Sequence, residues 1–254
     1  MTRVSEQLLK VRNLSMHYAC GKVALSDVSL SVSAGELVIV LGSNGSGKST
    51  LLRCISRLQH PTAGEVRVAD HDLARLSGGE LRRARRAVAM IFQHANLVRR
   101  RSVLANVATG ALGHHSGPLT ALGFLPAAER SRARDYLAEV GLLHLAGQRA
   151  GTLSGGQAQR VAISRALAQR PKVLLADEPV ASLDPHATEE IMTLLRRLAS
   201  QDGLAVLCVL HQPELAARYA DRVVGIRDGR MMFDLPASEL SGGRMDGLYR
   251  GLAA

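Results

Sequence analysis

The 254-residue chain has no tryptophan, and aromatic residues make up only 3% of it. Its core must therefore be aliphatic, and platforms on which nucleic-acid bases could stack are scarce. Only three cysteines occur, Cys20, Cys54 and Cys208. They are scattered, fall in no metal-ligand spacing, and fit a reduced, cytosolic compartment. The opening MTRVSEQLLK lacks the apolar stretch of a signal peptide. No apolar run reaches the roughly 18 residues of a membrane span. LAVLCVL at 204–210 is apolar but of strand length. Any service to a membrane is thus expected from its surface, through a partner.

Hydrophobic residues make up 46% of the chain, an ordinary globular share. The length allows one large domain, or a core domain carrying a smaller one. The formal charge of +10 is unevenly spread. Arg75, Arg82, Arg83, Arg85, Arg86, Arg99, Arg100 and Arg101 face a single acid, Glu80, in the window 75–101. A solvated face, lipid headgroups, a partner surface or nucleic acid would each account for such a window, and charge alone does not choose.

Along the chain, residues 8–32 read as short strands, with a turn at Cys20-Gly21-Lys22. ELVIVL at 36–41 reads as a buried strand running into a Gly-rich loop. A helix follows, with Leu51, Leu52, Ile55 and Leu58 on one face, stopped at His60-Pro61. AVAMIF at 87–92, VLLAD at 173–177 and LAVLCVL are further strands of the continuous apolar kind found in parallel sheets. Asp184-Pro185 supplies an N-cap and a first helical residue, and Ile191, Leu194, Leu195 and Leu198 then form a buried stripe. Asp228-Gly229 between two β-like runs is a hairpin signal. From about 95 to 160 the chain is rich in Ala, Leu and Arg, with no convincing strand. Strands alternating with helices predict an α/β core with a mostly parallel sheet, and the 95–160 stretch reads as a helical insertion within it.

The segment Gly42-Ser43-Asn44-Gly45-Ser46-Gly47-Lys48-Ser49 fits G-x-x-x-x-G-K-[ST] in full, after a strand and before a helix. Its glycines let backbone N–H groups close on phosphates, and the helix N-terminus adds positive dipole. Lys48 would neutralise phosphate charge and the Ser49 hydroxyl would ligate Mg²⁺; Thr50 ends the loop. VLLADE at 173–178 delivers Asp177 to the metal and Glu178 to the attacking water at the strand's C-terminal end. LSGGQ at 153–157 opens a helix with Ser154, Gly155, Gly156 and Gln157, a second anion site at a helix N-terminus. One ATP has no use for two such sites on one chain, unless a second copy donates its Ser154 and Gly156 across an interface.

On these motifs the chain resembles the nucleotide-binding subunits of ABC transporters over nearly all its length, residues 8–250. The resemblance implies an α/β P-loop (RecA-like) ATPase core at 8–94 and 161–250, with a mostly parallel sheet and an N-terminal antiparallel β subdomain, and an inserted α-helical subdomain at about 95–160. It implies that Tyr18 stacks on adenine and that Gln93 senses the metal and couples to the membrane partner. It further implies that Ser182-Leu183-Asp184 communicates across the dimer, Asp184 joining the nucleotide-contacting residues, and that His211 contacts the γ-phosphate. Glu178, His211, Lys48 and Gln93 are the catalytic candidates; Ser49, Gln93 and Asp177 are the metal candidates. LSGGE at 76–80 and LSGGR at 240–244 look like the signature but lie in the wrong places relative to Asp177, and are read as turns.

The segments IFQHANLVRRRSVLANVATGALG, ADEPVASLDP, YADRVVGIRDGR and LYRG narrow the resemblance to phosphonate-importer ATPases. That implies a self-paired ATPase binding ATP and Mg²⁺ on the cytoplasmic face of the inner membrane, beneath transmembrane permease subunits. An extracytoplasmic solute-binding protein would deliver a phosphonate or related phosphorus oxyanion. Ala158, Ser43-Asn44 and Leu235 depart from the commoner family pattern and remove no catalytic group. Another solute, an exporter, or a DNA-associated ATPase gripping nucleic acid through the basic window are the rival readings. No long coiled-coil or zinc insertion accompanies the window, so no nucleic-acid partner is expected. With no appended domain in the sequence, no sensing of solute within this chain is expected.

Overall fold

The computed structural model describes residues 6–115, 117, 120, 125–240 and 247–248. Two sheets organise it. A four-stranded antiparallel sheet has the order β2-β1-β4-β5, from β1 (Gln7–His17), β2 (Val23–Ser33), β4 (Ala63–Val68) and β5 (His71–Asp72). A six-stranded sheet has the order β10-β9-β3-β8-β7-β6. Its members are β3 (Leu37–Leu41), β6 (Val88–Ile91), β7 (Val173–Asp177), β8 (Ala205–Val209), β9 (Arg222–Arg227) and β10 (Arg230–Pro236). All of its pairings are parallel except the β9–β10 hairpin.

The continuous apolar strands make sense in this setting, because the larger sheet is covered on both faces. In β3, Leu37, Ile39 and Leu41 join a core with α5 (Gly155–Ala168) and α6 (Pro185–Ser200). Val38 and Val40 point the other way, into a core shared with α1 (Lys48–Ile55) and the antiparallel sheet. Strands β7 and β8 divide in the same period-two manner: Leu174, Ala176, Val206 and Cys208 lie on one side, and Val173, Leu175, Ala205, Leu207 and Val209 on the other. Both cores are overwhelmingly aliphatic. Burial pushes the Cys54 thiol up to about 11 and raises that of Cys208 further, so both behave as small apolar core residues.

Several sequence expectations shift. The N-terminal strands are two paired runs of eleven residues rather than short ones, joined by the turn in which Tyr18 N–H donates to the Lys22 carbonyl. Strands β4 and β5 and the helix α7 (Pro213–Tyr219) carry no strong pattern of their own and were not anticipated. Helix α1 ends at Ile55, earlier than His60-Pro61, because Arg57 adopts a left-handed φ of 55°. Leu58 therefore leaves the buried face and is 50% exposed. LSGGE at 76–80 is not a plain turn: Ser77 precedes helix α2 (Gly78–Ala84), though its side chain makes no capping bond. Of LSGGR, only Leu240 lies within the described residues, and LYRG lies mostly outside them.

The stretch after β6 is helical, with α3 (Val103–Ala108), a 3₁₀ turn at Thr109–His114 and α4 (Ala127–Glu139) packed on α5. Buried Glu129 on α4 ties this layer together through His115, Arg132 and Arg170. The hairpin at Asp228-Gly229 and the Asp184 cap with Pro185 at the first helical position form as expected; the Asp184 carboxylate accepts from Ala187 N–H at 2.9 Å.

Candidate active site: a phosphate cradle and a separate helix terminus

The loop 42–49 leaves the C-terminal end of β3, where α/β sheets present ligands. It is braced from behind by the β9–β10 hairpin, whose Gly229 N–H donates to the Ser46 carbonyl at 2.9 Å. Gly47, the N-cap of α1, holds φ 107°, and a Cβ there would lie 2.5 Å from the Ala24 carbonyl oxygen. No L side chain fits such a position, so the glycine sets the sharp entry into α1. Lys48, only 4% exposed, folds its Nζ back onto the Gly42 and Ser43 carbonyls at 2.8 Å each. An ammonium carries three donors, so one N–H is left over for an anion. Burial lowers the Lys48 pKa, while Glu178 and Asp177 act in the opposite sense.

Strand β7 brings the two acids. Asp177 is 7% exposed and accepts from the Ser49 hydroxyl at 2.8 Å. Burial raises its pKa, the Ser49 hydrogen bond opposes that, and neighbouring Glu178 adds to it. Ser49 and Asp177 together offer oxygen ligands only, the donor set a hard divalent cation takes. Glu178 sits at φ 50° and its backbone N–H donates to the Val209 carbonyl. Its side chain accepts from His211 Nε2, with the ring N carrying the proton in this arrangement. Tyr18 closes the other end: its hydroxyl lies 3.3 Å from Gln59 Oε1 and 3.5 Å from Thr50 Oγ1.

Tyr18, Asn44, Gly45, Gly47, Lys48, Ser49, Thr50 and Glu178 line one cleft of about 170 Å³, together with Lys22 and Ala24. Ser43 contributes its carbonyl, and Ser46 lies beneath with a buried hydroxyl that has no hydrogen-bond partner among the described residues. A buried donor of this kind, in a Gly-rich loop beside the Lys48 ammonium, fits an anion seated on the loop. Lys22, Ala24 and Gln59 were not singled out from the sequence; nothing in their local pattern marks them, because the fold alone brings them to the cradle.

The second set lies elsewhere. Ser154 caps α5 with a reciprocal box: Gln157 N–H donates to Ser154 Oγ at 3.3 Å, and Ser154 N–H to Gln157 Oε1 at 3.0 Å. Gly156 lets α5 and α6 touch at their first turns, since a Cβ there would lie 2.9 Å from Ala187 Cβ. A Cβ on Gly155 would meet Leu183 at 3.2 Å, so the Ser182-Leu183-Asp184 loop and the Ser154 turn form one surface. Ser154, Gly155, Gly156, Gln157 and Asp184 do not line the cradle. Gln93 does not either; it is exposed, two residues past β6, and its side chain makes no hydrogen bond among the described residues.

The profile of the ABC transporter family matches residues 25–181. A phosphonates import ATP-binding protein from Rhodopseudomonas palustris is 46% identical over 92% of this chain and 84% of its own. A phosphite import ATP-binding protein from Stutzerimonas stutzeri is 47% identical over 98% of this chain and 89% of its own. Among solved structures, cbiO1 from Clostridium perfringens, part of the ABC transporter complex cbiONQ, superposes with a TM-score of 0.81 at 30% identity, covering 92% of this chain and 90% of that one. A dimeric ATP-binding cassette in a post-hydrolysis state with ADP and Pi superposes with a TM-score of 0.80 at 34% identity, covering 91% and 100%. With a phosphate-loop cradle, an acid pair at the end of β7 and a signature turn opening α5, the chain belongs to the ABC transporter family as one of its ATP-binding cassettes.

Proposed function

We propose that this chain hydrolyses ATP as half of a head-to-tail dimer and thereby energises uptake of a phosphonate or related phosphorus oxyanion through a separate permease. The observation that carries this is the division of the site. The 42–50 loop, Ser49–Asp177 and Glu178–His211 make one cradle, while the Ser154 helix terminus stands outside it on the same chain. A second copy supplying Ser154 and Gly156 would complete the cradle, and the dimeric state of a similar cassette supports pairing of two chains.

In this reading Tyr18 packs on the adenine, and Lys48 and the loop amides hold the β- and γ-phosphates. Mg²⁺, held by Ser49 with Asp177 and Gln93, would neutralise charge on the transferred phosphate. Glu178 orients the attacking water and accepts its proton, and His211 holds Glu178 and the γ-phosphate in place. The partner's Ser154 turn adds donors to the γ-phosphate as the two chains close.

The membrane partner is assigned to the basic window. Among the described residues, Arg82, Arg83, Arg85, Arg86, Arg99, Arg100 and Arg101 have no carboxylate within ion-pair distance. Arg82, Arg85 and Arg86 rim a groove of about 350 Å³ floored by Val88, Met90 and Phe92, beside exposed Leu58. Unpaired arginines around an apolar floor have the composition of an interface hot spot. No helix among the described residues is long and apolar enough to cross a membrane. The match to import ATP-binding proteins supports a peripheral protein on the cytoplasmic face of the inner membrane. The relatives' printed names support phosphonate or phosphite as the solute; an extracytoplasmic binding protein would deliver it.

Mixing two inactive chains tests the sandwich. Lys48→Ala abolishes a chain's own cradle and Ser154→Arg abolishes the site it lends. Co-expressed, the two should form dimers with one intact composite site and regain ATPase activity; no regain sinks the dimer. Capture of a multispanning permease by tagged Glu178→Gln protein with ATP, from solubilised membranes, tests the transport assignment. Nucleic acid in place of a permease would overturn it.

A further inference from the structure

The strand that leads to Gln93 is held at both ends by one helix. At the entry to β6, Gln169, the C-cap of α5, donates its Nε2 to the carbonyls of Arg85 (3.0 Å), Arg86 (3.2 Å) and Val88 (2.5 Å). At the exit, Gln159 Nε2 donates to the Phe92 carbonyl at 3.2 Å. Half-buried Arg165 donates Nη2 to the Ala95 carbonyl at 2.7 Å and Nη1 to the Asn96 carbonyl at 2.9 Å. Gln159 is itself buried. Carbonyls on both sides of Gln93 are thus satisfied by side chains of the helix that Ser154 opens. Gln93's own side chain is exposed and fixed by no hydrogen bond among the described residues, so its position is inherited from this backbone.

We propose that Gln159 and Arg165 are positioning residues for Gln93. They make the loop travel with α5, so that where Gln93 stands against its own chain's nucleotide follows where Ser154 stands against the second copy's. Closure on one phosphate is thereby reported at the other through a rigid helix, without a wire of side chains between the two sites. The inference rests on the reading of Gln93 and of the dimer given above. Water could satisfy the same carbonyls; what water does not supply is a fixed distance between the loop and the helix. A misplacement of about 1 Å in a positioned group can cost up to 100-fold in rate, and losing one anchor of three should cost less.

The test uses the full-length chain, assayed for Mg²⁺-dependent ATP hydrolysis with kcat and KM separated. Gln159→Met and Arg165→Gln should each lower kcat by about tenfold, with KM for ATP changed less than about twofold. Arg165→Lys, which keeps a single donor group for one carbonyl, should fall between Arg165→Gln and the native chain. In a Gln93→Ala background these same substitutions should cost almost nothing more, because the group they position is gone. Losses of equal size in both backgrounds overturn the proposal and leave a structural role, as does a fall in melting temperature that accounts for the lost activity. If Arg165→Gln does not fold, Gln159→Met and Arg165→Lys carry the same cycle. Should Gln93→Ala alone have no effect, the reading of Gln93 falls and this inference with it. The mixing of Lys48→Ala and Ser154→Arg chains reports on the dimer separately.

Discussion

Glu178→Gln isolates the chemistry from the fold. The side chain is mostly buried, held by His211, and stands on a backbone already at φ 50°. Glutamine keeps its length, its acceptor oxygen and the same backbone preference, so the His211 contact survives as a neutral hydrogen bond. Exchanging a charge-assisted bond for a neutral one costs about 1 kcal/mol, which lowers the melting temperature of a chain this size by roughly 2–4 °C. On the proposed reading nucleotide binding rests on Lys48, the loop amides and Ser49, none of which changes. The missing function is proton acceptance from water, and a positioned general base contributes about 10²–10⁴-fold. Turnover should therefore fall by that factor, about 2.7–5.5 kcal/mol of barrier, while ATP binding persists and the dimer accumulates. Steady-state ATPase assays beside size-exclusion chromatography with and without ATP decide it. Turnover within about threefold of the native chain, below the range expected for a base, would falsify the assignment of Glu178 whatever the chromatography shows.

Three further outcomes follow from the geometry. Asp177 has a raised pKa in the folded chain, so its charge costs stability as pH rises past the ordinary carboxylate value. Asp177→Asn keeps an acceptor for Ser49 and should raise the melting temperature of the nucleotide-free protein at neutral pH, while hydrolysis is lost; calorimetry showing no rise would contradict this. Burial alone would push the Glu129 carboxyl up, but hydrogen bonds from His115 and Arg170, with the charges of Arg170 and Arg132, hold it below the ordinary range. Its contribution is therefore present above the ordinary carboxylate pKa and lost as pH falls through the depressed value. Glu129→Ala should cost about 1–3 kcal/mol at neutral pH, and its melting curve should converge on that of the native chain in acid. Gly156→Ala places a methyl 2.9 Å from Ala187 Cβ. Overpacking costs of about 1–3 kcal/mol exceed the roughly 1 kcal/mol gained in helix propensity, so a modest loss of stability should accompany a larger loss of ATPase activity as the two helix ends are pushed apart.

The phosphate loop, the acid pair, the signature turn, the Asp184 cap and the 228–229 hairpin were all legible because each is a local device. A glycine that must turn, a cap that must accept, or an apolar run that must be buried on both faces leaves its mark within a few residues. Tertiary structure alone decided the rest. Gln59 meets Tyr18, and Gln159, Arg165 and Gln169 reach carbonyls about 67–84 positions away in the chain. Such long-range side-chain bonds to backbone have no spacing rule, since any donor that the packing brings close will serve. Strands β4 and β5 form because the edges of the antiparallel sheet need partners, not because their residues insist on it. The early end of α1, and with it the exposure of Leu58, turns on one left-handed residue, Arg57, whose Nε donates to the Leu73 carbonyl and whose Nη2 donates to that of Leu76. The chemistry was thus written in short stretches of sequence. The separation of the Ser154 turn from the cradle, on which the proposed role of a second copy rests, was set only when the sheet and its helices packed.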